Sequence, residues 1–180
     1  MLKKILRFIL IVVILLVVYF IAMPVPIDPV AWTAPPNPGY TGAFAVNERL
    51  KGIETFKIGN NQGPEDIALD SQGRIYASTH AGNIVRLQAD GSKAENWVNT
   101  GGRPLGIDFD TNENLIVTDA YLGLLSIDPS GKITQLATEA DGIPIKYADD
   151  VDVAADGKIY FSDASTKFGA QEFGGPNDAS

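Results

Sequence analysis

Cysteine is absent from the 180-residue chain, and histidine occurs once, as His80. These absences exclude disulfides and thiolate metal sites, and no zinc-ligand cluster appears in the sequence. Basic residues are also scarce, with 14 Lys and Arg against 22 Asp and Glu and a net charge of −8. Because an acidic chain without a basic cluster binds nucleic acid poorly, no nucleic-acid partner is expected. No nucleophile-elbow serine or phosphate-binding loop is present either.

An uncharged apolar run occupies residues 8–23 and follows Lys3, Lys4 and Arg7. With Ile5 and Leu6 it would form a helix of about 28 Å at 1.5 Å per residue, close to the roughly 30 Å hydrocarbon thickness of a bilayer. A cleaved signal peptide is the alternative, but the bulky Phe20 stands where cleavage favours a small side chain. The run predicts a signal anchor over 1–23, with its N-terminus cytoplasmic and the rest of the chain extracytoplasmic.

Residues 24–39 are rich in proline and predict a stiff, extended linker. The remaining segment, 40–180, shows no sustained 3.6-residue apolar period, so helices should be few. The segment at 52–59, GIETFKIG, predicts a single leading strand. We therefore expect three parts, namely an anchor, a linker and an all-β domain.

The β domain contains three copies of one pattern, EDIALDSQGRIYASTH, LGIDFDTNENLIVTDA and DDVDVAADGKIYFSDA, which begin at Glu65, Leu105 and Asp149. Each copy is an alternating strand, a polar turn and a second alternating strand. The spacing suits the roughly 40 to 50 residues of a four-stranded propeller blade, whereas an antiparallel sandwich requires no such recurrence. The predicted blades lie near 65–100, 105–138 and 149–180, the last one incomplete. Because about two and a half blades leave sheet edges open, we expect this chain to be the N-terminal part of a longer protein.

The strings GGRPLGIDFDTNENLIVTDAYLGLLSID and YADDVDVAADGKIYFSDASTKF resemble the strictosidine synthase-like family, within the gluconolactonase and paraoxonase superfamily of six-bladed propellers. A membrane-anchored member of that family is similar in layout. The resemblance covers about 52–168, and RPLGI with DAYLGL is its most specific part. It implies a six-bladed β-propeller, of which this chain would supply about two and a half blades after a transmembrane helix.

The resemblance also implies a calcium ion in the central channel. Glu65 matches the family's first-blade ligand, and Asp149 stands where the family more often has asparagine. The aspartates that follow, Asp66 and Asp150, match ligands of a second, structural ion in the paraoxonase branch. Repeat register supports the assignment independently, because Glu65 and Asp149 occupy the same repeat position and converging carboxylates repel unless a cation lies between them. Alternatively, these acids cap turns or face solvent.

Two functions follow as hypotheses. The first is a membrane-anchored, calcium-dependent hydrolase acting on an ester or lactone, with a general base outside this segment. The second is a non-catalytic binding module whose calcium is structural. Leu105 favours the second, because lactonase and paraoxonase members can carry a catalytic histidine at that position. His80 is interpreted as a surface or turn residue, so the catalytic residues stay unassigned. Asp119 and Asp163 share a repeat position and are predicted to fix turns.

Overall fold

The computed structural model describes residues 2–23 and 30–172, so parts of the predicted linker and of the C-terminal segment lie outside the described residues. The chain forms two compact units, Met1–Lys51 and Gly52–Ser180. In the first unit, helix α1 spans Leu2–Ala22. By length and composition, its segment Lys3–Ala22 is able to cross a membrane, a criterion that a signal sequence also meets.

The described residues between α1 and the second unit contain a single 3₁₀ turn at Gly42–Phe44 and no strand. The compact β unit begins at Gly52, twelve residues after the predicted start of the β domain at residue 40. Residues 52–59 do not form the leading strand that the sequence predicts. A strand requires a neighbouring strand along its edge, and no described strand pairs with this segment. The segment contacts the first sheet through Phe56, which packs closely over the backbone of Gly91, where a Cβ would lie 2.2 Å from the ring.

Two four-stranded antiparallel sheets make up most of the second unit, each with its strands in chain order. The first sheet contains β1 (Ile67–Leu69), β2 (Ile75–Ser78), β3 (Asn83–Leu87) and β4 (Glu95–Asn99). The second contains β5 (Pro104–Phe109), β6 (Leu115–Asp119), β7 (Gly123–Ile127) and β8 (Ile133–Ala137). This arrangement of consecutive four-stranded meanders is that of propeller blades.

A third sheet follows with two strands, preceded by a small hairpin. The hairpin strands are β9 (Glu139–Ala140) and β10 (Ile143–Pro144), and the sheet contains β11 (Ala148–Val153) and β12 (Ile159–Asp163). The hairpin turns at Asp141 and Gly142, whose φ angles of 51° and 78° are typical of the Asp-Gly turns that connect tight hairpins. We did not predict this hairpin, although its Asp-Gly dipeptide is the usual sequence signal.

The apolar core lies between consecutive sheets. One cluster joins the first and second sheets, and it includes Ala68, Tyr76, Ile84, Ile107, Leu115, Val117, Leu125 and Ile127. A smaller cluster joins the second and third sheets through Ile116, Leu124 and Val151. The alternating strands of the second sheet thus place one face against the first sheet and the other against the third sheet.

The turn after the innermost strand is held by an aspartate in the first two sheets, and the aspartate of the first sheet, Asp70, is buried. Asp70 accepts hydrogen bonds from the Arg74 backbone N–H (2.9 Å), the Arg74 side chain (2.6 Å) and the Tyr76 hydroxyl (3.2 Å). Burial alone would raise the pKa of Asp70, but the hydrogen bonds and charge of Arg74 outweigh it and lower the pKa below its usual value. Asp110 repeats this arrangement with Asn114.

Candidate functional site

The three sequence copies occupy the same structural register. Their innermost strands pair with the second strands at equivalent positions, Ile67 with Ala77, Ile107 with Val117 and Val151 with Phe161. Glu65, Leu105 and Asp149 therefore stand at equivalent places, two residues before the first member of each of these pairs. The alignment of the repeats by sequence alone gives the same correspondence.

One cleft lies where the innermost strands begin. It has a volume of about 390 Å³ and is lined by Glu65, Asp66, Leu105, Gly106, Asp149 and Asp150. All four predicted metal ligands thus line a single cleft. Glu65, Asp149 and Asp150 are exposed, and Asp66 is half-buried.

Gly106 allows the second and third sheets to approach closely in this cleft. A Cβ on Gly106 would lie 2.7 Å from the Asp150 Cα and 2.7 Å from the Val151 backbone nitrogen. Carbon atoms in contact stay about 3.5 to 4.0 Å apart, so a side chain at this position would push the two strands away from each other. The absence of a side chain at Gly106 therefore helps to set the width of the cleft.

Asp66 and Asp150 are hydrogen-bonded to the backbone. Asp66 Oδ1 accepts from its neighbour Ile67 N–H (2.7 Å), and Oδ2 accepts from Ile107 N–H of the second sheet (2.9 Å). Asp150 Oδ1 accepts from Val151 N–H (3.0 Å). Both oxygens of Asp66 thus already have a donor, a feature that the sequence did not indicate.

Arg103 lies beside Glu65, and sequence reasoning did not assign it a role. Its Nη2 is 3.8 Å from Glu65 Oε1, and only 12% of the Arg103 side chain is exposed against 49% for Glu65. The Arg103 backbone N–H donates to Asp119 Oδ1 (2.9 Å), which fixes the approach to β5. A guanidinium at this distance partly compensates the charge of Glu65 and would compete with a cation for it.

The donor atoms of the cleft suit a hard cation, because carboxylate oxygens are the preferred ligands of calcium. Their number is low, since calcium takes six to eight oxygens. Within 2–23 and 30–172, no group of three or more His, Asp or Glu residues is arranged to hold a metal ion. The cleft thus fits calcium by chemistry and supplies only part of a coordination shell.

Leu105 and His80 do not contribute a base to this cleft. Leu105 is buried and packs with Ala120 and Ala170. His80 is half-buried and lines a separate cleft of about 520 Å³, together with a group of amide side chains that includes Asn61, Asn83 and Asn96. His80 Nε2 is buried and has no hydrogen-bond partner among the described residues.

Asp119 and Asp163 fix the loops that lead into the innermost strands. The buried Asp119 accepts from the Thr100 hydroxyl (2.8 Å) and from the Arg103 and Tyr121 backbone N–H groups (2.9 and 3.0 Å). Asp163 accepts from the Tyr147 N–H at 2.8 Å in the third sheet. These contacts agree with the predicted turn-fixing role of both aspartates.

Comparison with known proteins relates the chain to one family. The family model described as "Strictosidine synthase-like, N-terminal" matches residues 42–87. Strictosidine synthase-like protein 4 of Arabidopsis thaliana is 45% identical over 135 residues, which cover 71% of this chain and 36% of that protein. The resemblance to the strictosidine synthase-like family is confirmed. The adipocyte plasma membrane-associated protein of Salmo salar is 32% identical over 178 residues, covering 88% of this chain and 42% of that protein. The chain thus spans about two fifths of the length of the curated relatives that it matches.

Solved structures support the fold. A gluconolactonase of Xanthomonas campestris superposes with a TM-score of 0.52 at 19% identity, covering 61% of this chain and 40% of that chain. A chain of the nidogen/laminin complex superposes with a TM-score of 0.53 at 25% identity, covering 65% and 47%. Together with the two four-stranded meanders, these likenesses confirm the prediction of a partial β-propeller after one N-terminal apolar helix.

Proposed function

We propose that this chain is part of a membrane-anchored, calcium-dependent hydrolase that acts on an ester or a lactone. The observation that carries the proposal is the cleft at the start of the innermost strands, where Glu65 and Asp149 occupy equivalent positions and share one opening. Two comparisons support the proposal. The chain matches the strictosidine synthase-like family model, and its fold is similar to that of a gluconolactonase. Substrates of this class present a carbonyl group to the opening.

Glu65 and Asp149 would hold the calcium ion, and further oxygen ligands would come from outside this group of residues. A bound ion would supply positive charge that polarises a substrate carbonyl and stabilises the developing oxyanion. The guanidinium of Arg103 lies on one side of Glu65, with Nη2 3.8 Å from Oε1. The resemblance nominates Asp66 and Asp150 for a second, structural ion. We assign no general base among the residues of the cleft.

In the same proposal, α1 anchors the protein in a membrane. Its basic residues Lys3, Lys4 and Arg7 would stay on the cytoplasmic side, and the β unit would lie on the extracytoplasmic side. The relative from Salmo salar is described as associated with the plasma membrane, which supports a location at a membrane. Retention of residues 1–23 in the mature protein, read by mass spectrometry of the N-terminus, tests this part.

The decisive test of the hydrolase is an activity assay of the full-length protein against a panel of lactones and aryl esters, with calcium and with chelator. We expect turnover that requires calcium. Glu65→Gln keeps the size of the side chain and removes its charge, so it should weaken calcium affinity at least tenfold. Glu139→Gln changes an exposed glutamate on β9 in the same way and should leave affinity unchanged. Equal calcium affinity for Glu65→Gln and the unaltered protein would remove Glu65 from the ligand set.

A non-catalytic, calcium-stabilised binding module tethered to the membrane is the second candidate. The observation that favours it is Leu105, which is buried at the position where lactonase and paraoxonase members can carry a catalytic histidine. In this case calcium should raise the melting temperature of the full-length protein while no lactone or ester is hydrolysed. Calcium-dependent turnover of any member of the panel would exclude this candidate.

A further inference from the structure

The cleft that contains His80, called the amide cleft below, lies on the outer strands of the first sheet. Its walls come from residues 58–62, the loop between β2 and β3, and the strands β3 and β4. Its volume of about 520 Å³ is typical of small-molecule sites, which measure roughly 300 to 1,000 Å³. No residue lines both this cleft and the acidic cleft of Glu65 and Asp149. The amide cleft is therefore a separate place in the molecule.

A β-bulge turns Asn96 toward the amide cleft. β3 and β4 pair Asn83 with Asn99, but the register then shifts, so that Val85 pairs with Asn96. In an unbroken ladder Val85 would face Trp97, and Asn96 would point to the opposite side of the sheet. The bulge thus brings Asn96 to the side that Asn83 and Asn99 share. Trp97 packs instead against the core cluster of the first and second sheets.

Side-chain amides form a hydrogen-bonded chain that ends at Asn96. Asn99 Nδ2 donates to Asn83 Oδ1 at 2.7 Å, and Asn83 Nδ2 donates to Asn61 Oδ1 at 2.9 Å. Asn61 Nδ2 then donates to Asn96 Oδ1 at 2.8 Å. All these amides point the same way, so each bond polarises the next one. The Asn96 Nδ2 group stands at the end of the chain and has no acceptor among the described residues.

His80 contributes a second unused polar atom to the cleft. Its backbone N–H donates to the Gln62 carbonyl at 3.1 Å, which ties the β2–β3 loop to residues 58–62. Its Nε2 is buried without a hydrogen-bond partner in the described part of the chain. A buried polar atom that stays unpaired destabilises the fold, so Nε2 requires a ligand atom or an ordered water.

The charges around the amide cleft argue against an ionic ligand. No Lys or Arg belongs to the described residues that line it, so no side chain there compensates an anion. Glu95 is the one carboxylate in that lining, and its Oε1 is paired with Arg86 at 2.8 and 2.6 Å. The Oδ1 atoms of Asn61, Asn83 and Asn96 are already acceptors within the amide chain, which leaves few oxygens for a cation. The site suits an uncharged polar ligand.

We propose that the amide cleft binds an uncharged sugar of one or two rings through its hydroxyl groups. A hydroxyl both donates and accepts, which matches amide side chains and an imidazole nitrogen. Asn96 Nδ2 would donate to one hydroxyl, and His80 Nε2 would form a hydrogen bond with a second. Asn60 and Gln62 are exposed at the cleft and would supply further amides. Ile58 would contact the C–H face of the ring.

The single histidine of the chain makes a direct test possible, because without a histidine tag His80 gives the only imidazole NMR signals. The full chain is held in a phosphocholine detergent, since maltoside detergents carry sugar head groups. It is titrated in chelator with glucose, galactose, mannose, N-acetylglucosamine, maltose, cellobiose and lactose. We expect a saturable, one-to-one shift of the imidazole signals with at least one of these sugars. Because chelator removes calcium, this result does not depend on the proposed hydrolase.

Two variants test the contacts of the bound sugar. Asn96→Asp keeps the acceptor for Asn61 but replaces the Nδ2 donor by an oxygen, so it should raise the Kd by roughly tenfold or more. Asn112→Asp makes the same change in the exposed β5–β6 turn and should leave the Kd unchanged. Gln62→Ala shortens an exposed side chain, which the fold tolerates, and should raise the Kd by roughly threefold or more.

Methyl glycosides of the bound sugar distinguish its two sources, because a glycan attached through C1 must keep that carbon accessible and a free sugar need not. The proposal fails if no sugar of the panel shifts the imidazole signals of His80, or if the shifts do not saturate. It also fails if Asn96→Asp and Gln62→Ala bind the sugar as tightly as the unaltered chain.

Discussion

The second and third sheets begin with the same sequence pattern, yet they differ in burial. Every residue of β6 is buried, whereas β12 alternates between half-buried and exposed residues. The second sheet lies between the first and third sheets. In the apolar clusters of the described residues, the third sheet joins the second sheet and is absent from the cluster of the first. The pattern of a blade therefore sets its pairing register, but its neighbours decide which of its side chains become core.

Truncation at equivalent positions should show the largest difference between these sheets. Ile116→Ala removes a side chain that is buried between the second and third sheets, and it should lower the free energy of unfolding by about 3 kcal/mol. Tyr160→Ala acts at the equivalent exposed position and should cost less than about 0.5 kcal/mol. Urea unfolding of both variants measures the difference. Equal losses would mean that Tyr160 is covered in solution.

A smaller effect is expected at the interface between the two sheets. Gly106→Ala places a methyl group 2.7 Å from the backbone of the third sheet, and overpacking of this kind costs roughly 2 kcal/mol. Gly52→Ala is the control, because a Cβ at Gly52 meets no atom within 4 Å. Thermal unfolding should show a lower Tm for Gly106→Ala alone. An unchanged Tm would show that the two strands separate without cost.

The smallest effect concerns the turns, where the first sheet has Asp70 and the third has Ala154. Because the folded-state pKa of Asp70 is lowered, its contribution is present above the ordinary value of 3.8 and is lost as pH falls through the folded-state pKa. Asp70→Asn should cost about 1.5 kcal/mol at pH 7, since it weakens charge-assisted bonds from Arg74 and Tyr76. The difference from the unaltered chain should shrink in acid. A difference that is independent of pH would contradict this account.

Much of the fold could be predicted because each blade is a local pattern. Strand alternation and polar turns lie within about 40 residues, so the sheets and their register follow from nearby sequence. Alignment of the three repeats by sequence also places Glu65 and Asp149 at equivalent positions. The prediction of a leading strand at 52–59 was wrong. A strand forms only beside a neighbouring strand, and local alternation in the sequence does not reveal whether such a neighbour exists.

The environment of the candidate site could not be predicted in the same way. Arg103 reaches Glu65 from a position 38 residues away, and Asp66 binds the Ile107 amide 41 residues away. No periodic signal in the sequence records such contacts, because they depend on how one sheet packs on the next. The four acidic residues were found by repeat register and resemblance, but their hydrogen-bond partners were not.

The sequence by itself determined the apolar N-terminal helix, the blade pattern, the family resemblance and the acidic character of the strand entrances. These properties depend on composition and on short-range periodicity, which the chain carries without folding. Only the tertiary structure decided that Asp66 and Asp108 bind amides of the following sheet, that Gly106 allows the close approach of two strands, and that Tyr160 stays exposed. Such properties arise between sheets, where residues far apart in sequence meet and compete for the same space and the same hydrogen bonds.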